Sequence, residues 1–214
     1  MPGHPPTPII LYRIIHFDNL EYALINGLYT RAHLNADPNY INIGDSSLIM
    51  QRNDYPVGIN PPGGNLGEYI PFYFGPLSPM LLNIKTGYRG VTKRPQRDIV
   101  YLCCNLEDVT LHCGEWCFTD GHAKDAITDF FNKQEDLTEV HWNIVGLRYW
   151  RPTEEFLGKQ TRKQAEFLVK NHMPVECICE IVVYDNARRD MVQEIVNNLG
   201  LDITVKVDLG YYYY

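Results

Sequence analysis

Residues 161–170 read TRKQAEFLVK. Phe167, Leu168 and Val169 form a short apolar, β-prone run, and Glu166 stands directly in front of it. The pattern predicts a buried strand headed by a carboxylate. A carboxylate is costly to bury unless it is paired or in use. Glu166 is therefore either a strand-edge residue facing water or a functional acid. The basic pair Arg162 and Lys163 just ahead of it is compatible with both readings.

Further strand-like runs lie at residues 9–15, 70–74, 80–85, 99–104, 177–184 and 203–207. The 99–104 run is wholly apolar and β-prone, as expected of a central strand. Three stretches predict helices. In HFDNLEYALINGLYTR, Asp18 and Glu21 form a capping-box-like pair, Leu20, Ala23, Leu24 and Leu28 keep helical spacing, and Gly27 is a stop. Residues 122–134 place Ala126, Ile127, Phe130 and Phe131 on one side, and residues 187–199 are amphipathic and end at Gly200. Strands outnumber helices and do not alternate with them, so the expectation is α+β, not a doubly wound sheet.

The chain has 214 residues, 45% hydrophobic and 21% charged, with no break rich enough in Gly, Ser or charge to separate two units. One domain spanning residues 1–214 is expected. A formal net charge of −7 argues against a protein that coats DNA through an overall basic field, though not against a local basic groove. No apolar stretch approaches the roughly 20 residues of a membrane span. The opening MPGHPPTPII lacks a basic region followed by an apolar one, which points to the cytoplasm. The six cysteines are expected as reduced thiols, with Cys177 and Cys179 on one face of a strand as small apolar groups.

Regular periodicity is lost in residues 30–67, apart from a short helix that Asp45 or Ser46 would cap, and again in residues 134–160. Long irregular stretches inside a compact unit tend to be functional. The second one holds Trp142, Arg148, Tyr149, Trp150 and Arg151. Familiar chemistries do not fit. His112, Cys113, Cys117 and His122 have the atom types for zinc but not the spacing of two separated ligand pairs, so no metal is expected. There is no GxSxG, and GGNLGEY at residues 63–69 matches no phosphate loop. Catalysis, if present, falls to His, Arg and Glu.

Three blocks in order, YRIIHFDNLEYALINGLY (residues 12–29), IPFYFGPLSPM (residues 70–80) and RKQAEFLV (residues 162–169), resemble the DarT family. Its members are bacterial toxins that transfer ADP-ribose from NAD+ to single-stranded DNA. The resemblance runs along most of the chain. It implies an ADP-ribosyltransferase-like split, mostly antiparallel β-sheet with flanking helices and with NAD+ in the cleft. It implies that Glu166 is the catalytic glutamate, that Arg52 contacts and orients NAD+, and that His16 holds the nicotinamide-side ribose. Asn19, Gly44 and Phe74 join the expected NAD+ contacts, Gly44 because a missing Cβ lets the dinucleotide approach closely.

The resemblance also assigns the 134–160 stretch to DNA. Trp142, Tyr149 and Trp150 would offer stacking surfaces, and Arg148, Arg151, Arg162 and Lys163 phosphate contacts. It implies thymine as the acceptor base, with sequence preference, and a neutralising macrodomain antitoxin of the DarG type as partner of a monomeric enzyme. Two departures stand out: Leu77 occupies the turn where a basic residue is expected, and Gln51 stands where a charge would fit. Arg31 rivals Arg52 for the arginine role. Two other functions stay open: an NAD+ glycohydrolase or a protein- or RNA-modifying transferase on the same fold, and a non-enzymatic single-strand nucleic-acid binding module.

Overall fold

The computed structural model describes residues 3–154 and 156–214, so residues 1, 2 and 155 of the predicted domain lie outside it. The strands are β1 (Ile10–His16), β2 (Leu28–Tyr29), β3 (Tyr69–Tyr73), β4 (Ile99–Asn105), β5 (Trp116–Thr119), β6 (Phe130–Phe131), β7 (Glu166–Lys170), β8 (His172–Met173), β9 (Ile178–Val183) and β10 (Thr204–Val207). Eight of them form one sheet in the order β10-β9-β4-β1-β3-β7-β5-β6, while β2 and β8 pair separately. Neighbours are antiparallel except β9 and β10. That parallel pair needs a crossover, which helix α7 (Asn186–Asn198) supplies. The fold is α+β with a mostly antiparallel sheet, as expected.

The sheet is weakest between β1 and β3. β1 pairs with β4 along its whole length, from Ile10 opposite Asn105 to His16 opposite Ile99. It meets β3 at one register pair, Tyr12 opposite Tyr73. Arg13 reaches across this seam, its Nη1 donating to Pro71 O at 2.8 Å. The sheet therefore falls into two halves, and β3 and β7 in the second half are in register from Tyr69–Lys170 to Tyr73–Glu166.

Strand β4 fulfils its wholly apolar sequence. Val100, Leu102 and Cys104 face one core cluster, and Ile99, Tyr101 and Cys103 face the other. Helices α1 (Leu20–Asn26), α4 (Leu106–His112) and α7 contribute Leu20, Leu24, Val109 and Val192 to the first cluster. Leu81, Ile84 and Tyr212 cover the second.

Several local expectations are corrected. Residues 80–85 belong to helix α3 (Pro79–Thr86), not to a strand. Ser78 caps it by accepting from Leu81 N at 3.2 Å, Pro79 sits in its first turn, and Gly87 ends it at φ 77°. Leu81 and Ile84 then share its buried face at helical spacing. Residues 122–134 form turns and strand β6 instead of a helix. Phe131 pairs with Phe118 and stacks on it at 5.2 Å, while Ile127 is exposed.

The Asp18–Glu21 capping pair does not form, because Asn19 precedes α1 and turns its side chain elsewhere. Cys179 is exposed while Cys177 is buried. In the β4–β9 ladder Cys104 pairs with Ile178 and Cys103 with Glu180, which leaves Cys179 as the extra residue of a bulge.

Candidate active site

Glu166 is the first residue of β7 and is 3% exposed, so it does not face water as a strand-edge residue. Helix α2 (Ser46–Asn53) forms inside the irregular 30–67 stretch because Asp45 accepts from Ser47 N and Leu48 N. Its last turn carries Arg52 to the carboxylate. Arg52 Nη1 donates to Glu166 Oε1 at 3.0 Å and Nη2 to Oε2 at 2.8 Å. The planar fork matches the carboxylate in two parallel bonds, a geometry lysine does not offer.

A third donor comes from the segment after β5, where Ala123 N donates to Glu166 Oε1 at 3.2 Å. The Glu166 backbone is fixed as well, its N donating to Thr119 Oγ1 at 3.0 Å. Burial alone would raise the Glu166 carboxyl. The Arg52 guanidinium, the nearby His122 ring and the Ala123 amide outweigh that and hold it below the usual glutamate range. The opposing residue, Tyr73, has its hydroxyl pKa pushed up by burial and by the Glu166 charge. The site thus contains a fixed anion beside a phenol that stays neutral.

His16 ends β1 and is largely buried. Its Nδ1 accepts from Asp18 N at 3.2 Å, and burial holds its imidazole below the ordinary value. A neutral ring accepting at Nδ1 carries its proton on Nε2, which makes that nitrogen a donor. Asn19 uses both ends of its amide on Ile41, Nδ2 donating to Ile41 O at 2.9 Å and Oδ1 accepting from Ile41 N at 2.8 Å. It anchors the stretch that leads into Gly44 and α2. Gly44 borders a cavity of about 290 Å³ lined also by Asp45, Ser47, Arg89 and Thr92. A larger hollow of about 660 Å³ lies near Arg31, Asn53 and Glu68, and neither cavity is lined by Glu166 or His16. Arg31 lines that hollow, so Arg52 is the arginine at the carboxylate.

Other predicted residues are placed differently from the expectation. Phe74 is 4% exposed and packs edge-on against Trp142, Phe118 and Phe167, so its ring is core and presents no face to a cofactor. Trp142 lies in the short helix α5 (Trp142–Val145), and its Nε1 donates to Leu137 O at 2.7 Å. Lys163, in helix α6 (Lys159–Lys163), is 2% exposed. Its Nζ donates to Pro76 O at 2.8 Å and also to Val145 O, and burial pushes its pKa down to about 7. It knits three segments together and offers nothing to a DNA backbone. Arg162 is paired with Asp120.

Tyr149 and Arg151 are exposed, whereas Arg148 and Trp150 turn toward residues 210–214. Leu77, where a basic residue was expected, is buried at φ 60°. Gln51 accepts from Lys124. Sequence reasoning overlooked Tyr73, Thr119 and Ala123 and weighed His122 only as a zinc ligand. Nothing local marks an alanine as the donor of a backbone N–H to an acid 43 residues away. Among the described residues no three His, Cys, Asp or Glu side chains converge as a metal-holding group.

The family model described as ssDNA thymidine ADP-ribosyltransferase, DarT, matches residues 12–213. The chain belongs to the DarT family. A DNA ADP-ribosyl transferase of Escherichia coli O127:H6 (strain E2348/69 / EPEC) is 35% identical over 208 residues, which cover 97% of this chain and 95% of that protein. A DNA ADP-ribosyl transferase of Thermus sp. (strain 2.9) is 35% identical over 193 residues, 89% of this chain and 88% of that one.

The solved structure of Thermus sp. 2.9 DarT in complex with ADP-ribosylated ssDNA superposes with a TM-score of 0.88 at 30% identity, covering 100% of both chains. The same protein in complex with NAD+ gives 0.80 at 30% identity, covering 98% of this chain and 100% of that one. This DarT member is accordingly an NAD+-dependent DNA ADP-ribosyltransferase acting on single-stranded DNA. NAD+ is its co-substrate.

Proposed function

We propose that this chain is a toxin that attaches ADP-ribose to thymine in single-stranded DNA, with sequence preference, and that Glu166 is its catalytic carboxylate. The observation that carries this reading is the Arg52–Glu166 fork at the head of β7. Breaking the nicotinamide–ribose bond builds positive charge on the ribose carbon. A carboxylate that stays ionised beside that carbon stabilises charge that exists only in the transition state. The depressed Glu166 pKa suits this task. As the thymine N3–ribose bond forms and neutral nicotinamide leaves, the N3 proton must go to a base. Glu166 accepts it, at a cost in its bonds to Arg52.

Arg52 orients the carboxylate and the dinucleotide. His16 donates from Nε2 to a ribose hydroxyl, Asn19 holds the loop, and the cavity beside Gly44 accommodates part of the dinucleotide. Tyr149 and Arg151 are the exposed members of the DNA-facing segment, offering a stacking face and a phosphate contact. A base must leave a duplex to present N3, which suits a single-stranded substrate. The enzyme works as a single domain and a monomer in the cytoplasm, neutralised by a macrodomain antitoxin of the DarG type. No helix among the described residues is long and apolar enough to cross a membrane.

The test incubates labelled NAD+ with oligonucleotides of varied sequence and either wild-type protein or Glu166→Gln. Label on thymine-containing single strands that disappears in the variant is the expected result. Free ADP-ribose without DNA labelling would instead mark a glycohydrolase. DNA retention without NAD+ turnover would mark a binding module. Expression of the wild type is expected to arrest a host that tolerates Glu166→Gln, and equal toxicity of the two would refute the assigned role.

A further inference from the structure

Side chains alternate through residues 148–151. Arg148 turns inward, Nη1 donating to Tyr212 O at 2.9 Å and Nη2 to Gly210 O at 3.1 Å, with its guanidinium 4.5 Å from the Tyr214 ring centroid. Tyr149 turns outward and is 82% exposed. Trp150 turns inward again, its Nε1 donating to Tyr213 Oη at 2.9 Å, and Arg151 is exposed. Here the surface that receives the inward side chains is residues 210–214.

Those residues are themselves pinned. Tyr213 is gripped through its backbone by Gln96, whose Oε1 accepts from Tyr213 N at 2.9 Å and whose Nε2 donates to Tyr213 O at 2.5 Å. The buried Tyr212 hydroxyl lies within 2.9 Å of Ile99 O and 3.1 Å of Val182 O. Tyr101 Oη donates to Tyr211 O at 2.9 Å and accepts from Leu77 N at 3.3 Å. The Tyr213 hydroxyl is used in both directions, since it accepts from Trp150 and donates to Leu77 O. Leu77 lies in the turn between β3 and α3, four residues beyond Tyr73, the residue opposite Glu166. A continuous relay Trp150–Tyr213–Leu77 therefore joins the 148–151 segment to the turn leaving the catalytic half of the sheet.

We infer that Tyr213 is a positioning residue for single-stranded DNA: through Trp150 and Leu77 it holds the 148–151 segment so that Tyr149 and Arg151 face the strand. This rests on the DNA-facing reading of Tyr149 and Arg151 given above. An exposed aromatic side chain on loose backbone loses freedom when a base stacks on it, and prior anchoring removes part of that cost. Of the four consecutive tyrosines Tyr211–Tyr214, Tyr212 is buried and Tyr213 carries the relay, while Tyr214 is 86% exposed and meets Arg148 through its ring. Gly210, Tyr212, Tyr213 and Tyr214 receive the inward side chains of the 148–151 segment.

Tyr213→Phe removes one oxygen and leaves the ring and the Gln96 grip. The experiment measures initial rates of transfer with DNA varied at saturating NAD+, then with NAD+ varied, beside the thermal midpoint. KM for DNA is expected to rise about five- to tenfold, the scale of losing one or two hydrogen bonds, with KM for NAD+ unchanged. Trp150→Phe should give the same change, and the double variant should be no worse than either, since both remove one relay. Tyr149→Ala tests the underlying reading separately. If it leaves KM for DNA unchanged, the DNA-facing assignment falls and the relay's purpose with it. If Tyr149→Ala raises that KM while Tyr213→Phe and Trp150→Phe are silent, or move both KM values together, the relay alone is overturned.

Discussion

Arg52 and Glu166, separated by 114 positions in sequence, meet through two parallel hydrogen bonds of 3.0 and 2.8 Å, with side chains 13% and 3% exposed. Neither residue has a comparable partner within its own element. The pair joins α2, which rises from an irregular stretch, to the strand β7, which lies between β3 and β5 in the sheet. Removing one member strands the other charge in a buried place, which costs about 3–5 kcal/mol in typical cases. Arg52→Ala is expected to destabilise the protein on that scale; Glu166→Gln costs less, because it keeps one acceptor oxygen for Arg52 and leaves unpaired the more exposed member, 13% against 3%. Denaturant unfolding of the two variants checks the order. Two variants as stable as wild type would mean that the pair contributes nothing to stability.

The same pair sets a pH dependence. The folded-state pKa of Glu166 lies below its ordinary value, so its contribution to stability is complete above the unfolded glutamate range, about 4.3, and is lost as pH falls through the depressed folded value. Wild type should therefore lose more stability than Glu166→Gln as pH is lowered below that range. In Arg52→Ala, burial is no longer opposed by the guanidinium and the Glu166 pKa must rise. Any residual activity of Arg52→Ala should then have its acid limb at higher pH than wild type, read from a pH–rate profile.

Asn19→Leu tests the loop anchor. The substitution leaves Ile41 N and Ile41 O without their side-chain partner, at a cost of about 1–3 kcal/mol. Because Asn19 holds the stretch that leads to Gly44 and α2, KM for NAD+ is expected to rise about tenfold, by the same hydrogen-bond arithmetic. KM for DNA should change less. Initial rates with each substrate varied in turn separate the two, and an equal rise in both would contradict the anchor role.

Gly75 tests how tightly the turn after β3 is packed. A Cβ there would lie 2.2 Å from Val145 O and 2.7 Å from Val145 C, backbone atoms that cannot rotate away. Val145 O also accepts from the buried Lys163. Gly75→Ala is expected to cost about 1–3 kcal/mol as an overpacking change and to lower the thermal midpoint. A variant as stable as wild type would show that α5 shifts freely.

Much of the site was legible in sequence because a few residues combine strong local demands with a recognisable order. Glu166 was conspicuous as a carboxylate heading an apolar run, His16 closed the first strand, and Asp45 marked the start of the helix that carries Arg52. The misreadings came from short apolar runs, which fit a strand or a buried helix face equally well. MLLNIK is a helix because Met, Leu and Lys favour one and Ser78, Pro79 and Gly87 cap it, signals present in the sequence but obscured by the shortness of the apolar run. Phe130 and Phe131 left helical spacing because pairing with β5 buries them beside Phe118.

The residues expected to face DNA divided for a reason no local pattern holds. Arg148, Tyr149, Trp150, Arg151 and Lys163 are similar in character as a sequence, yet Arg148 and Trp150 bind the 210–214 segment, Lys163 is buried on two carbonyls, and only Tyr149 and Arg151 face out. Patterning in the sequence determined the fold class and the central strand β4, and the family resemblance singled out Glu166 and Arg52, which the tertiary structure then brings together. Which side chains are spent on internal bonds, and which remain for substrate, was decided by tertiary structure. Burial and pairing are properties of groups brought together from distant positions, and a charge or a ring takes its role from what it meets.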